Sequence, residues 1–302
     1  MTARGLWTAA LLLGALMVVR PGVVIAQAIQ RSMYVSALND AGIPVPDLGP
    51  SDFVVREDNV AREVLRVAPA DEPMQVEILV DNSQAATEYI RDLRVALPDF
   101  VDALLEPNAG GRKNEVGLVA LGERPTILTE PTFDRALLKK GIDRLFAQRG
   151  GGNYLLDGVV EVCQGFKKRS ATRPVIVAIT TEGPEFSSRH FDFVLGPLRE
   201  TGTAFHVVVV GRMSNDTSDE ARNRNIVLDQ GPTQTGGRFE HILTSMALGG
   251  KLKQIGNELT HQYRLTFARP QSLIPPERTT VSAAKPGLTA RGTLIKEPQG
   301  HP

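Results

Sequence analysis

Val76–Ala85 reads VEILVDNSQA, a near-continuous apolar run that ends in Asp81, Asn82 and Ser83. A strand covered by helices on both faces has this composition, because it has no wet face on which polar residues would alternate. In an open α/β sheet, ligands collect in the crevice outside the carboxyl ends of the strands. The run therefore carries Asp81 and Ser83 to the edge of the sheet where chemistry or recognition is expected.

Similar runs recur along the chain. Val116–Leu121 (VGLVAL), Val175–Ile179 (VIVAI) and Phe205–Val210 (FHVVVV) are further buried-strand candidates, and Ile127-Leu128 is a shorter one. Between them apolar residues fall at helical spacing: Tyr89, Ile90, Leu93 and Leu97; Phe133, Leu137, Leu138, Ile142 and Leu145; Leu155, Leu156, Val159, Val160 and Cys163; and Phe191, Val194 and Leu198. Alternating strand and helix patterns require crossover connections. Residues 74–262 are thus expected to form a doubly wound, mostly parallel α/β sheet with helices on both faces. Met213 to Thr235 is polar and reads as a long loop, with Asp219 to Asn225 as a helical piece.

The flanks differ. Residues 32–70 and 263–296 hold short extended runs, such as Phe53-Val54-Val55 and the alternation of Tyr263, Leu265 and Phe267, broken by Gly, Pro, Asn and Asp. Neither flank can make a stable sheet alone, and domain termini are often close together. The two segments are expected to pair into one small β module, followed by a frayed tail over 297–302.

Gly5–Val19 (GLWTAALLLGALMVV) follows Arg4 and precedes small residues around Gln27. This is the pattern of a secretory signal over residues 1–28, cleaved after Ala26 or Ala28, and the run is shorter than the ~20 residues of a membrane span. The expected location is secreted or periplasmic, with an uncleaved N-terminal anchor as the alternative and no membrane span in the mature chain. In the 302 residues, 34 Lys and Arg balance 34 Asp and Glu. That balance gives no electrostatic case for nucleic acid. A single cysteine, Cys163, excludes an intrachain disulfide and a cysteine-based zinc site.

Two groups of residues suggest chemistry. Ser187, Ser188 and His190 lie together and would serve an exported hydrolase, although such a cluster is usually a solvated loop. Asp81 and Ser83 offer oxygens to a hard divalent cation, or cap a helix beginning near Thr87.

At these residues the chain resembles the von Willebrand factor A family, whose metal-ion-dependent adhesion site has Asp-x-Ser-x-Ser after the first strand, a later Thr, and an Asp after the fourth strand. Asp81 and Ser83 match. Ala85 stands at the second Ser, Asn153 in Gly151–Asp157 (GGNYLLD) at the Thr, and Glu182 in Val177–Gly183 (VAITTEG) at the Asp. The flanks are similar to secreted, A-domain-related proteins of acidobacterial type: Asp52–Asn59, Gly236–Phe239, Glu258–Tyr263 and Pro286–Arg291. The resemblance implies the family's fold and a non-enzymatic adhesion or scaffold module with a protein partner at the strand-end loops. Its site would be degenerate: Asp81, Ser83, Ala85, Asn153 and Glu182 mark the positions, and no cofactor is expected beyond weak Mg2+ or another divalent cation at Asp81, Ser83 and Glu182. The alternative is a divalent-cation-dependent adhesion domain using Asp81, Ser83, Asn153 and Glu182.

Overall fold

The computed structural model describes residues 29–107, 110–271 and 274–296, so the expected signal, its cleavage positions and the tail over 297–302 lie outside the described residues. In chain order, β1 (Ile29–Asn39), β2 (Phe53–Glu57), β3 (Val60–Arg62) and β4 (Val64–Pro69) come first. An alternating region follows: β5 (Gln75–Val80), α1 (Ile90–Leu105), β6 (Glu115–Ala120), β7 (Thr126–Thr132), α2 (Arg135–Asp143), α3 (Leu155–Arg169), β8 (Pro174–Thr181), α4 (Asp192–Thr201), β9 (Ala204–Val210), α5 (Asp219–Thr235), β10 (Phe239–Ile242) and α6 (Leu248–Thr260). The chain closes with β11 (Tyr263–Arg269), β12 (Thr279–Ala283) and β13 (Leu288–Leu294).

The central sheet has the order β10-β9-β8-β5-β6-β7. Only β7 runs antiparallel, against β6; the other neighbours are parallel. Every residue of β8 and β9 is buried, which explains their unbroken apolar runs. One core lies between the sheet and α1, α2 and α6, through residues such as Leu97, Phe100, Leu138 and Leu252. The other lies on the opposite face under α3, α4 and α5, through Leu156, Val159, Phe166, Leu198 and Val227. Cys163 is part of this second core, and burial pushes its thiol up to about 12. It is therefore packing, not a nucleophile.

The terminal segments form two small sheets, β13-β1-β11-β4 and β12-β2-β3. β1 pairs antiparallel with β11 and β13, and β2 with β12, so each sheet takes strands from both ends of the chain. Met33, Val35, Phe53, Val55, Leu265 and Phe267 fill the space between them. A polar seam joins this module to the α/β region. Arg173 donates to the Leu259 carbonyl and to Gln262 Oε1, and Gln262 donates to Ser36 Oγ. Glu258 of α6 receives Arg238 and also Arg291 of β13.

The structure corrects the expected long loop over Met213 to Thr235. Most of it is α5, begun by Ser218, whose hydroxyl accepts from Ala221 N. The helix escapes periodicity because it buries only a narrow stripe, part of it the charged Arg224. Gly249 and Gly250 lie in the first turn of α6.

Candidate functional site at the strand ends

Asp81 extends the ladder of β5 by one residue, its amide donating to the Ile179 carbonyl. It is 1% exposed. Its Oδ1 accepts from Ser83 N at 2.8 Å, closing a tight turn, and its Oδ2 accepts from Thr181 N at 3.0 Å and Thr181 Oγ1 at 2.5 Å. The expected side-chain cap on a helix near Thr87 is absent. Ser83 precedes a 3-10 turn, Gln84–Ala86, without capping it, and α1 starts at Ile90.

Asn153 is brought to the same edge. Its Nδ2 donates to Thr180 Oγ1 at 2.7 Å, its backbone N donates to the Pro184 carbonyl, and its carbonyl accepts from Phe186 N. The Gln84 amide donates to Gly151 O, and Gly150 N to Gln84 Oε1. These bonds tie the loops after β5, before α3 and after β8 into one body. The glycines allow the close fit. A Cβ on Gly151 would lie 2.1 Å from the Gly122 carbonyl oxygen, one on Gly152 2.3 Å from the Phe186 ring, and one on Gly183 2.4 Å from the Ala85 Cβ.

Glu182 does not join this group. Its Oε2 receives Arg224 Nη2 at 3.0 Å and Ser214 N at 3.4 Å, and its Oε1 lies 3.7 Å from His241 Nε2. Arg224, whose side chain is 2% exposed, also donates from Nη1 to the Gly183 carbonyl at 2.6 Å. Thr180, Thr181, Glu185, Arg224 and His241 are thus site residues that the sequence reading missed. Only Thr180 and Thr181 left a trace in the sequence, as two hydroxyls closing an otherwise apolar strand.

Ser83 Oγ, Asn153 Oδ1 and Glu185 Oε2 are buried and have no hydrogen-bond partner among the described residues. A hard divalent ion wants six or more oxygens in fixed array. Here both Asp81 oxygens are already bound, Ala85 has none to give, and Glu182 is committed to Arg224. No group of three or more His, Cys, Asp or Glu among the described residues is placed to hold a metal ion. Of the five family positions only Ser83 and Asn153 keep a buried side-chain oxygen without a partner among the described residues, which falls short of the oxygen set that a divalent cation takes.

Glu185 lies beside Asn153, and its Oε1 accepts from Ser187 N and, at 3.5 Å, Leu156 N. Burial pushes its carboxyl up to about 7, against these hydrogen bonds. A raised acid favours the folded state while protonated. Its contribution is full below the usual 4.5 and is lost as pH rises through about 7. Glu185→Gln should therefore gain stability relative to wild type between pH 5 and 8, by up to about 3 kcal/mol. Thermal melts of both proteins across that range check it; a pH-independent difference would refute the assignment.

The hydrolase reading finds no assembled pair. Ser187 is fully buried and its Oγ accepts from Asp157 N at the start of α3. His190 is exposed, with Nδ1 3.5 Å from Asp192 and its ring against Phe191. No hydrogen bond joins either serine to His190 among the described residues.

Around the edge stand exposed large apolar side chains. Phe146 carries the carbonyl that accepts from Asn82 Nδ2, Phe186 and Met213 follow β8 and β9, and Leu243 and Met246 follow β10. Their exposure ranges from 47% at Phe186 to 89% at Met246.

The architecture is an open, mostly parallel doubly wound sheet with an acidic, hydroxyl-bearing loop at its carboxyl edge. Residues 76–183 match the family model described as von Willebrand factor type A domain. Among solved structures, proximal thread matrix protein 1 from the mussel byssus, with a zinc-occupied MIDAS motif, is similar at a TM-score of 0.50 and 12% identity, covering 68% of this chain and 50% of that one. The von Willebrand factor type A protein from Catenulispora acidiphila is similar at 0.49 and 13%, covering 90% and 74%. BatB from Bacteroides thetaiotaomicron is similar at 0.46 and 15%, covering 62% and 97%. No curated protein matches the sequence. No helix among the described residues is long and apolar enough to cross a membrane.

Proposed function

We propose that the chain is an exported, non-enzymatic protein-recognition module that binds through the strand-end face without a metal bridge. The observation that carries this is the set of exposed side chains Phe146, Phe186, Met213, Leu243 and Met246 on the loops before α3 and after β8, β9 and β10. Aromatic residues and Met are enriched in the cores of interfaces. A partner seated on a loop body that is already ordered avoids the cost of ordering it.

The test is affinity capture from the native envelope or medium with the mature protein and with a Phe186→Asp, Met246→Asp double variant. The wild type should retain a protein that the variant loses, and a chelator should leave the retention unchanged. Equal capture by both proteins would move recognition elsewhere, and loss with chelator alone would restore the cation-dependent reading. Export rests on the Gly5–Val19 run. Intact mass of the exported protein should give an N-terminus at Gln27 or Ile29; a chain still beginning at Met1 or Thr2 would mean an anchor.

A further inference from the structure

We propose that Arg224 is a resident cation of the strand-end face: its guanidinium supplies the positive charge that the acid after β8 requires, and so holds Glu182 in an ion pair that needs no divalent ion to complete it. The inference deepens the metal-independent reading above, and its test needs no partner.

The case starts from burial. Arg224 is among the largest fully buried side chains of the described residues. A buried guanidinium is tolerated only when its charge and its donors are met. Among the described residues, its hydrogen bonds beyond its own helix go to the end of β8 and the segment that leaves it. Nη2 donates to Glu182 Oε2 at 3.0 Å, and Nη1 to the Gly183 carbonyl at 2.6 Å and the Thr181 carbonyl at 3.5 Å. The remaining contact is to Asn225 Oδ1 on α5 itself. One planar fork thus grips a carboxylate and two carbonyls, a match for oxygen ligands that a lysine could not make.

The consequences for the site follow from charge. Asp81 and Glu182 end adjacent strands, β5 and β8. Two carboxylates so placed repel unless something positive or hydrogen-bonding is supplied to each. Neutral donors serve Asp81: Ser83 N, Thr181 N and Thr181 Oγ1. Arg224 serves Glu182, with His241 on the carboxylate's other oxygen. An arginine keeps its proton at any physiological pH and cannot dissociate as an ion can. The loop from Thr181 to Ser187 is therefore held in a fixed position by α5, and the Glu182 carboxylate is kept from Asp81, Ser83 and Asn153.

The experiment is hydrogen exchange of the mature protein over residues 181–187, with thermal melting, in chelator and in millimolar magnesium or manganese. Wild type should show the same exchange and the same melting temperature in all three. Arg224→Met, similar in length and uncharged, should exchange about tenfold or more faster over 181–187, and manganese should slow it again as the freed Glu182 takes a cation. Arg224→Lys, which keeps the charge and loses the fork, should exchange faster than wild type yet stay indifferent to cations; it carries the test if the Met variant fails to fold. Three results would overturn the proposal: cation-dependent exchange or melting in wild type, unchanged exchange in Arg224→Met, or a cation response in Arg224→Lys. A folded Arg224→Met protein that loosens but ignores manganese would also overturn it, by reducing Arg224 to packing.

Discussion

Glu258→Gln is expected to destabilise the protein by about 3–5 kcal/mol, the cost of breaking a buried ion-pair network by removing its carboxylate. The Glu258 side chain is 0% exposed, with Arg238 Nη2 at 3.0 Å and Arg291 Nη2 at 2.6 Å. The glutamate sits on α6, Arg291 on β13, and Arg238 just before β10, so the variant strikes the seam between the α/β region and the β module. At a few degrees per kcal/mol, the melting temperature should fall by roughly 10 °C. A fall of a degree or two would mean that the arginines find other acceptors.

The same seam sets the response to acid. Burial works to raise the Glu258 carboxyl, but His206 once it is protonated, together with the permanent charges of Arg291 and Arg238, outweighs it and holds it below its ordinary value. Its contribution is present above the usual 4.5 and is lost as pH falls through the lowered value. Burial also lowers His206 from 6.5 to about 4, and its ring nitrogens have no hydrogen-bond partner among the described residues. The unfolded chain takes up that proton first, so stability at this site is present above 6.5 and drains as pH falls toward 4. Wild type should therefore lose stability from pH 7 to pH 4 through His206. Glu258→Gln, which removes the charge that holds the His206 pKa up, should lose at least as much over that range. Thermal melts of both proteins from pH 7 to pH 4 check it, and a smaller loss in the variant would refute it.

Gly151→Ala is expected to cost about 1–3 kcal/mol, the usual range for overpacking, and to displace the loop that carries Asn153. The new methyl would stand 2.1 Å from the Gly122 carbonyl oxygen, and backbone on both sides must move to make room. That movement also pulls Gly151 O from the Gln84 amide. Gly150→Ala is the contrast. Gly150 has φ of +76° and open space around it, so alanine meets only the left-handed backbone penalty of about 1–2 kcal/mol. Exchange over residues 148–153 separates the two: it should rise more in Gly151→Ala, along with loss of captured partner. Equal behaviour would mean that the contact with Gly122 relaxes without consequence.

Much of the fold was legible because burial on both faces leaves a strong mark. VEILV, VGLVAL, VIVAI and FHVVVV read as strands, and α1 and α3 as helices, since their apolar stripes repeat at helical spacing. β10 (FEHI) went unread because it is a short edge strand of which only Ile242 is buried. α5 was read only over Asp219 to Asn225 because a charged residue, Arg224, is the largest side chain that it buries. The antiparallel direction of β7 was hidden for another reason: an apolar pair such as Ile127-Leu128 records burial but not orientation.

At the site, the sequence by itself determined the edge and its first residues. An apolar strand ending in Asp81 and Ser83 puts them at the sheet's carboxyl edge, and the glycines before Asn153 allow a second loop to approach. Only the tertiary structure decided what each side chain does there. Asp81 is satisfied by Thr181 from the neighbouring strand, Ala85 is packed against Gly183, and Glu182 turns to Arg224 and His241. The physical reason is that a carboxylate's direction follows the nearest complementary charge or donor in space. Here those partners come from α5 and β10, elements far along the chain that only the folded sheet brings alongside β8.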